Sequence, residues 1–291
     1  RKKALKEADL VILAGVPCDF RLDYGRVINH QAKIISINLS RGDMYLNRRP
    51  ARGILTEPGS FLINWNKIEK NKPVNKWDNW HQKLAKRNEE REKEIMEQGG
   101  IQTEYINPIK LCIKINEHIQ QGDIIVADGG DFVATASYIL QPRSLTGWLD
   151  PGVFGTLGVG AGFILGAKLT HPDSVVWAIY GDGAFGYSLM EFDTFVRHKI
   201  PVIAIIGNDA GWTQIARDQV DILDDAVSTE LAASDYHIAV KALGGVGYFI
   251  DNESQIDDVL TQAKDSAKSG KPVVVNARIG KTDFRKGSIS I

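Results

Sequence analysis

Residues 175–212, VVWAIYGDGAFGYSLMEFDTFVRHKIPVIAIIGNDAGW, constrain the fold more than any other stretch of the chain. Residues 175–180 form an apolar run without polar alternation, the pattern of a strand buried on both faces. The run stops at Gly181-Asp182-Gly183. Ser188 stands three residues before Glu191, a capping-box spacing that predicts a helix from there through about Arg197. A second apolar run, residues 202–206, follows Pro201 and stops at Gly207-Asn208-Asp209. A strand–helix–strand unit of this length is expected to be a right-handed parallel crossover.

That geometry has a chemical consequence. If the two strands are neighbours, both acidic turns lie at their carboxyl ends, roughly 5 Å apart. Open α/β sheets bind ligands along that edge. Asp182, Asn208 and Asp209 offer only hard oxygens, and Mg²⁺ takes one or two carboxylates together with phosphate oxygens. The glycines around Asp182 let backbone N–H groups approach a phosphate, and a following helix brings its positive end near. The pattern therefore predicts a Mg²⁺-bridged diphosphate site.

Other acidic and glycine-rich turns extend the reading. Asn107-Pro108 predicts a helix through about Ile119, and residues 123–127 a strand ending in Asp128-Gly129-Gly130-Asp131. Glycines at 152, 155, 158, 160, 162 and 166 mark a segment where backbone approaches a ligand or another helix closely. Residues 246–249 and 272–279 read as further strands, with a helix from about Ser254 to Ala267 between them. Residues 226–236 read as a loop entering a helix that ends at Gly244-Gly245.

Upstream, residues 8–20 and 32–40 each carry a strand, with a short helix or loop between. They read as the second half of a Rossmann-like domain without a dinucleotide fingerprint, since Gly15 lacks partner glycines. Arg21 and Arg26 are candidates for a phosphate contact or solvated loop charges. Trp77, Trp80 and Leu84 are expected to anchor a helix that continues as KLAKRNEEREKEIMEQ, a solvated face of alternating charge ended by Gly99-Gly100. The resulting organisation is a partial domain over residues 1–66, a charged helical linker over 67–104 and one α/β domain over 105–291.

The net charge of −1 gives no reason to expect nucleic acid as a partner. Cys18 and Cys112 are the only cysteines and lack metal spacing. None of the six histidines has a catalytic partner in the pattern. No apolar run reaches the ~18 residues of a membrane span, and no signal peptide is visible. The chain opens at Arg1 inside what reads as a continuing helix, so it is expected to be a fragment. Any membrane contact would come through a segment absent here.

GDG, then about two dozen residues, then Asn-Asp resembles the thiamine diphosphate (ThDP) motif of acetolactate synthases, pyruvate decarboxylases and 2-hydroxyacyl-CoA lyases. DGGDFVATAS, WLDPGVFGTLGVGAGFILGAKL, GNDAGWTQI and the ending GKTDFRKGSISI resemble one branch closely. That branch is the acetolactate-synthase-like 2-hydroxyacyl-CoA lyase of animal endoplasmic reticulum. The resemblance covers nearly the whole chain. It implies a parallel-sheet ThDP diphosphate-binding domain, preceded by part of the family's central domain. The implied cofactors are ThDP and Mg²⁺.

The resemblance also implies roles. Backbone at Asp131 and Phe132 would touch the diphosphate, as would the Gly181, Gly183 and Ala184 turn, with Gly183 and Ala184 N–H groups on the terminal phosphate. The Gly155-Thr156-Leu157 segment would hold the rings, the Gly155 carbonyl accepting from the 4′-amino group and Leu157 forcing the bent conformation. The family's Asn ligand falls 27 positions after Asp182, at Asp209, whereas the matching residue type is Asn208. By position the metal ligands are Asp182, Asp209 and the Gly211 carbonyl, with Asn208 the alternative. Asp209 would add a negative charge that needs a compensating cation or a second role. Trp212, Thr213 and Gln214 would face cofactor or substrate, and the C-terminal tail would cover the site. The family's catalytic Glu sits in a separate pyrimidine-binding domain that no segment here matches. The chain alone is therefore expected to be catalytically silent.

The implied activity is cleavage of a 2-hydroxyacyl-CoA to formyl-CoA and an aldehyde one carbon shorter, as in fatty acid α-oxidation. A pyruvate carboligase and a non-catalytic ThDP-binding subunit remain as alternatives. A homodimer or homotetramer and an endoplasmic reticulum location follow from the same resemblance.

Overall fold

The computed structural model describes residues 2–69 and 77–286. Contacts divide the chain between Glu90 and Arg91 into two compact units. The first begins with α1 (Lys2–Glu7), β1 (Leu10–Ala14), a 3₁₀ turn (Phe20–Gly25) and β2 (Lys33–Asn38). It continues with α2 (Arg41–Met44), β3 (Arg52–Leu55) and α3 (Pro58–Glu69). Its three strands form a parallel sheet in the order β1-β2-β3. The Arg48 guanidinium donates to the carbonyls of Gly25, Ile28 and Asn29, fixing the loop between β1 and β2. Arg21 is committed to the Asp19 carboxylate through Nε and Nη2. That removes it as an open phosphate ligand. Arg26 lies 3.8 Å from Asp23 and is mostly exposed.

Helix α4 (Asp78–Gly99) carries the chain from one unit into the next. Trp77, expected to anchor it, is 56% exposed, while Ile95 near its other end is buried. The alternating charges keep most of the helix solvated, so its packing is concentrated in the last turns. Part of the predicted linker, residues 70–76, lies outside the described residues.

The second unit then runs α5 (Pro108–His118), β4 (Ile124–Ala127), α6 (Asp131–Ile139), β5 (Trp148–Leu149), α7 (Gly160–Thr170) and β6 (Val176–Gly181). It continues as α8 (Asp182–Ser188), α9 (Glu191–Arg197), β7 (Ile203–Asn208), α10 (Thr213–Leu223) and α11 (Tyr236–Ala242). It closes with β8 (Val246–Ile250), α12 (Ile256–Lys268) and β9 (Val273–Arg278). All six strands are parallel, in the order β5-β4-β6-β7-β9-β8. Asn107 caps α5 by accepting from the N–H groups of Ile109 and Lys110.

The apolar runs are continuous because the sheet is covered on both faces. Trp177, Ile179, Ile203 and Ile205 point to a layer built by α5, α6 and α12. Ala178, Tyr180, Ala204 and Ile206 point to the opposite layer, with Ile164, Phe185, Phe192 and Val240. Successive side chains along one strand thus feed two separate cores. The buried Trp177 satisfies its indole N–H on Asp123 at 2.9 Å.

The predicted helix start at Ser188 is corrected. Helix α8 begins at Asp182, directly after β6, and Ser188 is its last residue. No side chain caps α9. The Ser188 hydroxyl is buried without a partner among the described residues. The Ser-x-x-Glu spacing is present without the capping bonds that would give it meaning.

Candidate functional site

The chain leaves β4 toward β5 on one side and returns through α7 to β6 on the other. The strand order therefore reverses between β4 and β6, a topological switch point. Asp128 to Asp131 follow β4, Asp182 follows β6 and Asp209 follows β7, so the three acidic turns share one edge. The cleft between them is lined by Gly130, Asp131, Gly181, Asp182, Gly183, Ala184, Asp209, Gly211 and Trp212 among others.

Asp182 is 1% exposed. One carboxylate oxygen accepts the Gly183 N–H at 2.9 Å and the other accepts the Gly211 N–H at 3.1 Å. Burial, and then the charge of Asp209, push its pKa up to about 6. Asp209 is also raised, by burial and by Asp131. A buried Asp182 whose ionisation the partly buried Asp209 disfavours, with Asp209 itself disfavoured by Asp131, forms a site that a cation would relieve. Among the described residues there is no cluster of three or more His, Cys, Asp or Glu side chains suited to a metal. Two carboxylates and a carbonyl are nevertheless the donor set Mg²⁺ uses when phosphates supply the rest.

Asn208 is placed differently. It is 2% exposed, and its amide donates to the Ser234 carbonyl and the Asn276 side-chain oxygen. Its own side-chain oxygen accepts from the Ala210 N–H and the Arg278 guanidinium. Both ends are used inside the fold, and Asn208 does not line the cleft, whereas Asp209 does. Ala210, which follows Asp209, adopts a left-handed φ of 55°. The Gly211 backbone then bridges to Glu230, flanked by a Trp212 N–H bond to the Thr229 carbonyl. The Trp212 ring lies over Gly183, where an added Cβ would meet it at 2.6 Å.

Asp131 opens α6, and its carboxylate is held by Arg217 of α10. Phe132 is buried with its ring packed against Gly207. The segment from Gly152 to Leu157 leads into α7, with Gly155 at φ 56°. Leu157 is exposed, yet it rests on Gly129, where a Cβ would overlap it. The structure thus brings the Asp131, Asp182, Asp209 and Gly211 turns together at the cleft and sets the Gly155 to Leu157 loop against the β4 turn. Of the C-terminal tail, residues 287–291 lie outside the described residues. The Thr282 carbonyl accepts from Arg217 at 2.9 Å.

Two residues escaped the sequence reading. Asp128 accepts the N–H groups of Gly158 and Gly160. Its position at the end of β4, matching that of Asp182 after β6, was an available signal. Arg217 lies 86 residues from Asp131, and nothing local announces the pair.

A doubly wound parallel sheet with acidic glycine turns at its switch point defines an α/β cofactor-binding domain. Residues 128–277 match the thiamine pyrophosphate enzyme, C-terminal TPP binding domain. The chain belongs to that family of thiamine pyrophosphate enzymes. It is 48% identical over its whole length to human 2-hydroxyacyl-CoA lyase 2, covering 47% of that protein. It is 43% identical to the Caenorhabditis elegans protein of the same name, again over its whole length. An acetolactate synthase large subunit of Mycobacterium tuberculosis is 32% identical over 95% of the chain and is covered to 49%. The chain spans about half the length of the curated relatives it matches. The fold is shared with a Rhodococcus jostii ThDP-dependent 4-hydroxybenzoylformate decarboxylase, with a TM-score of 0.74 over 97% of this chain, 51% of that one and 18% identity.

Proposed function

We propose that this chain is the diphosphate- and metal-binding half of a ThDP- and Mg²⁺-dependent lyase. Its reaction is cleavage of a 2-hydroxyacyl-CoA to formyl-CoA and an aldehyde one carbon shorter. The observation that carries the reading is the pairing of buried Asp182 with the partly buried Asp209 in the cleft at the sheet's switch point, in a chain 48% identical to 2-hydroxyacyl-CoA lyase 2 proteins. When bound, ThDP supplies the carbon nucleophile and electron sink for breaking the carbon–carbon bond.

The chain's own residues bind and orient. Asp182, Asp209 and the Gly211 carbonyl hold the metal, and Asn208 holds the turn instead. The Gly183 and Ala184 N–H groups and the α6 N-terminus at Asp131 and Phe132 face the phosphates. Gly181 keeps the β6 turn close to the β4 turn, its N–H donating to the Gly129 carbonyl. Gly155, Thr156 and Leu157 carry the rings, and Trp212 closes the cleft over Gly183. The general base comes from a region of the whole protein not contained in these residues. A homodimer or homotetramer, a role in fatty acid α-oxidation and an endoplasmic reticulum location are proposed on the family resemblance.

Assaying the intact protein with a 2-hydroxyacyl-CoA and with pyruvate tests this reading. Formyl-CoA and aldehyde are expected from the first. Acetolactate from the second, without acyl-CoA cleavage, would make it a carboligase. Neither product would leave a non-catalytic ThDP-binding subunit.

A further inference from the structure

We propose that Asp128 is a positioning residue that fixes the ring-holding loop at Gly155 to Leu157 relative to the diphosphate turn at Gly130 to Phe132. The proposal rests on the cofactor reading above and deepens it. Asp128 is 4% exposed and sits immediately after β4. Its own N–H donates to the Ile179 carbonyl of β6 at 3.1 Å, so its backbone belongs to the sheet. One carboxylate oxygen accepts the Gly158 N–H at 2.9 Å and the other accepts the Gly160 N–H at 2.7 Å.

Gly155 and Gly158 have φ of 56° and 82°, and the backbone bonds that lead into the loop, from the Phe154 N–H to the Pro151 carbonyl and from the Gly155 N–H to the Gly152 carbonyl, are both long at 3.3 Å. Gly160 opens α7, whose capping position, Val159, offers no side-chain acceptor. Asp128 supplies that acceptor from a different element and places a negative charge at the helix's positive end. Leu157 directly precedes the first anchored glycine, Gly158, and rests on Gly129, the residue after Asp128. The loop and the β4 turn are therefore interlocked by one carboxylate and one leucine. The phosphate end and the ring end of a single cofactor take their spacing from the same residue.

An amide cannot replace this group. Asparagine has one accepting oxygen, and its NH₂ would face a backbone donor. The role is separable from the metal site because the loop meets only the rings.

The test is calorimetric titration of the intact protein, Asp128→Asn and Asp128→Ala with two probes, Mg²⁺-ThDP and Mg²⁺-pyrophosphate. Pyrophosphate reports the metal and phosphate turns and, with them, the fold of the domain. Both variants are expected to bind ThDP at least tenfold more weakly while pyrophosphate binding stays within twofold. Gly158→Ala displaces the loop from the other side, since a Cβ would lie 2.8 Å from Tyr187, and should give the same split. Unchanged ThDP affinity, or parallel loss of both ligands, would overturn the positioning role. Failure of the unmutated protein to bind either probe would remove the cofactor reading itself.

Discussion

Arg217 holds Asp131 in a two-pronged ion pair, Nε to one carboxylate oxygen at 2.9 Å and Nη2 to the other at 2.7 Å. Asp131 otherwise places a negative charge beside Asp209, where a diphosphate is also to be accommodated. The pair would thus supply part of the compensation that an aspartate in place of asparagine requires at the proposed metal turn. The side chains are 20% and 12% exposed, between the surface case and the fully buried one. Arg217→Met should therefore cost roughly 2 kcal/mol in thermal or denaturant unfolding. ThDP affinity should fall about tenfold, and Asp131→Asn added to it should recover most of that loss. An Arg217→Met protein with unaltered affinity and stability would show the pair to be incidental.

The pH behaviour follows from Asp182. Its carboxyl titrates near 3.8 when unperturbed and about 6 in the fold. A raised carboxylate pKa means that the folded state holds the proton more tightly than the unfolded chain. The stability this gives the metal-free protein is complete below about pH 4 and is lost as pH rises through 6. Metal binding requires the ionised form, so the increase in melting temperature produced by Mg²⁺-ThDP should shrink as pH falls from 7 to 5. Melting curves with and without Mg²⁺-ThDP across that range measure it. An increment constant with pH would contradict the assignment of Asp182 as a ligand.

Ala210 sits in the left-handed region with φ of 55°, between the buried Asn208 network and the Gly211 bridge. A non-glycine residue there costs about 1 kcal/mol. Ala210→Gly removes that strain but adds unfolded-chain entropy of somewhat smaller size. A net gain of about 0.5 kcal/mol is expected in urea unfolding, with Mg²⁺-dependent ThDP binding retained. Ala210→Val should lose at least 2 kcal/mol and weaken binding, since a β-branched residue resists this conformation. Equal stability of all three proteins would mean that the turn is not held as described.

Much of the second unit was legible because its strands are buried on both faces. Val176–Gly181 and Ile203–Asn208 are apolar runs ended by acidic glycine turns, and the structure pairs them as parallel neighbours. β3 was not legible, because Arg52-Gly53-Ile54-Leu55 is short and opens on a charge and a glycine. The Ser188 capping signal misled because a spacing says nothing about whether the bonds form. The order β5-β4-β6-β7-β9-β8 depends on which way each crossover turns, which no local pattern records. The Asn208–Asp209 choice hinged on where each side chain points. Asn208 turns toward Asn276 of β9, a residue 68 positions away, and only the assembled sheet brings the two together. Asp128 and Arg217 likewise act through partners distant in the sequence.

The most direct test of the central claim is calorimetric titration of the intact protein with ThDP, with and without Mg²⁺. The same titration is run on Asp182→Ala, Asp209→Ala and Asn208→Ala. Binding is expected to need Mg²⁺, and each of the two aspartate changes to abolish it. Asn208→Ala should lower stability but keep the Mg²⁺ requirement. Binding that ignores Mg²⁺, or that survives loss of both carboxylates, would contradict a metal-bridged diphosphate site at this switch point.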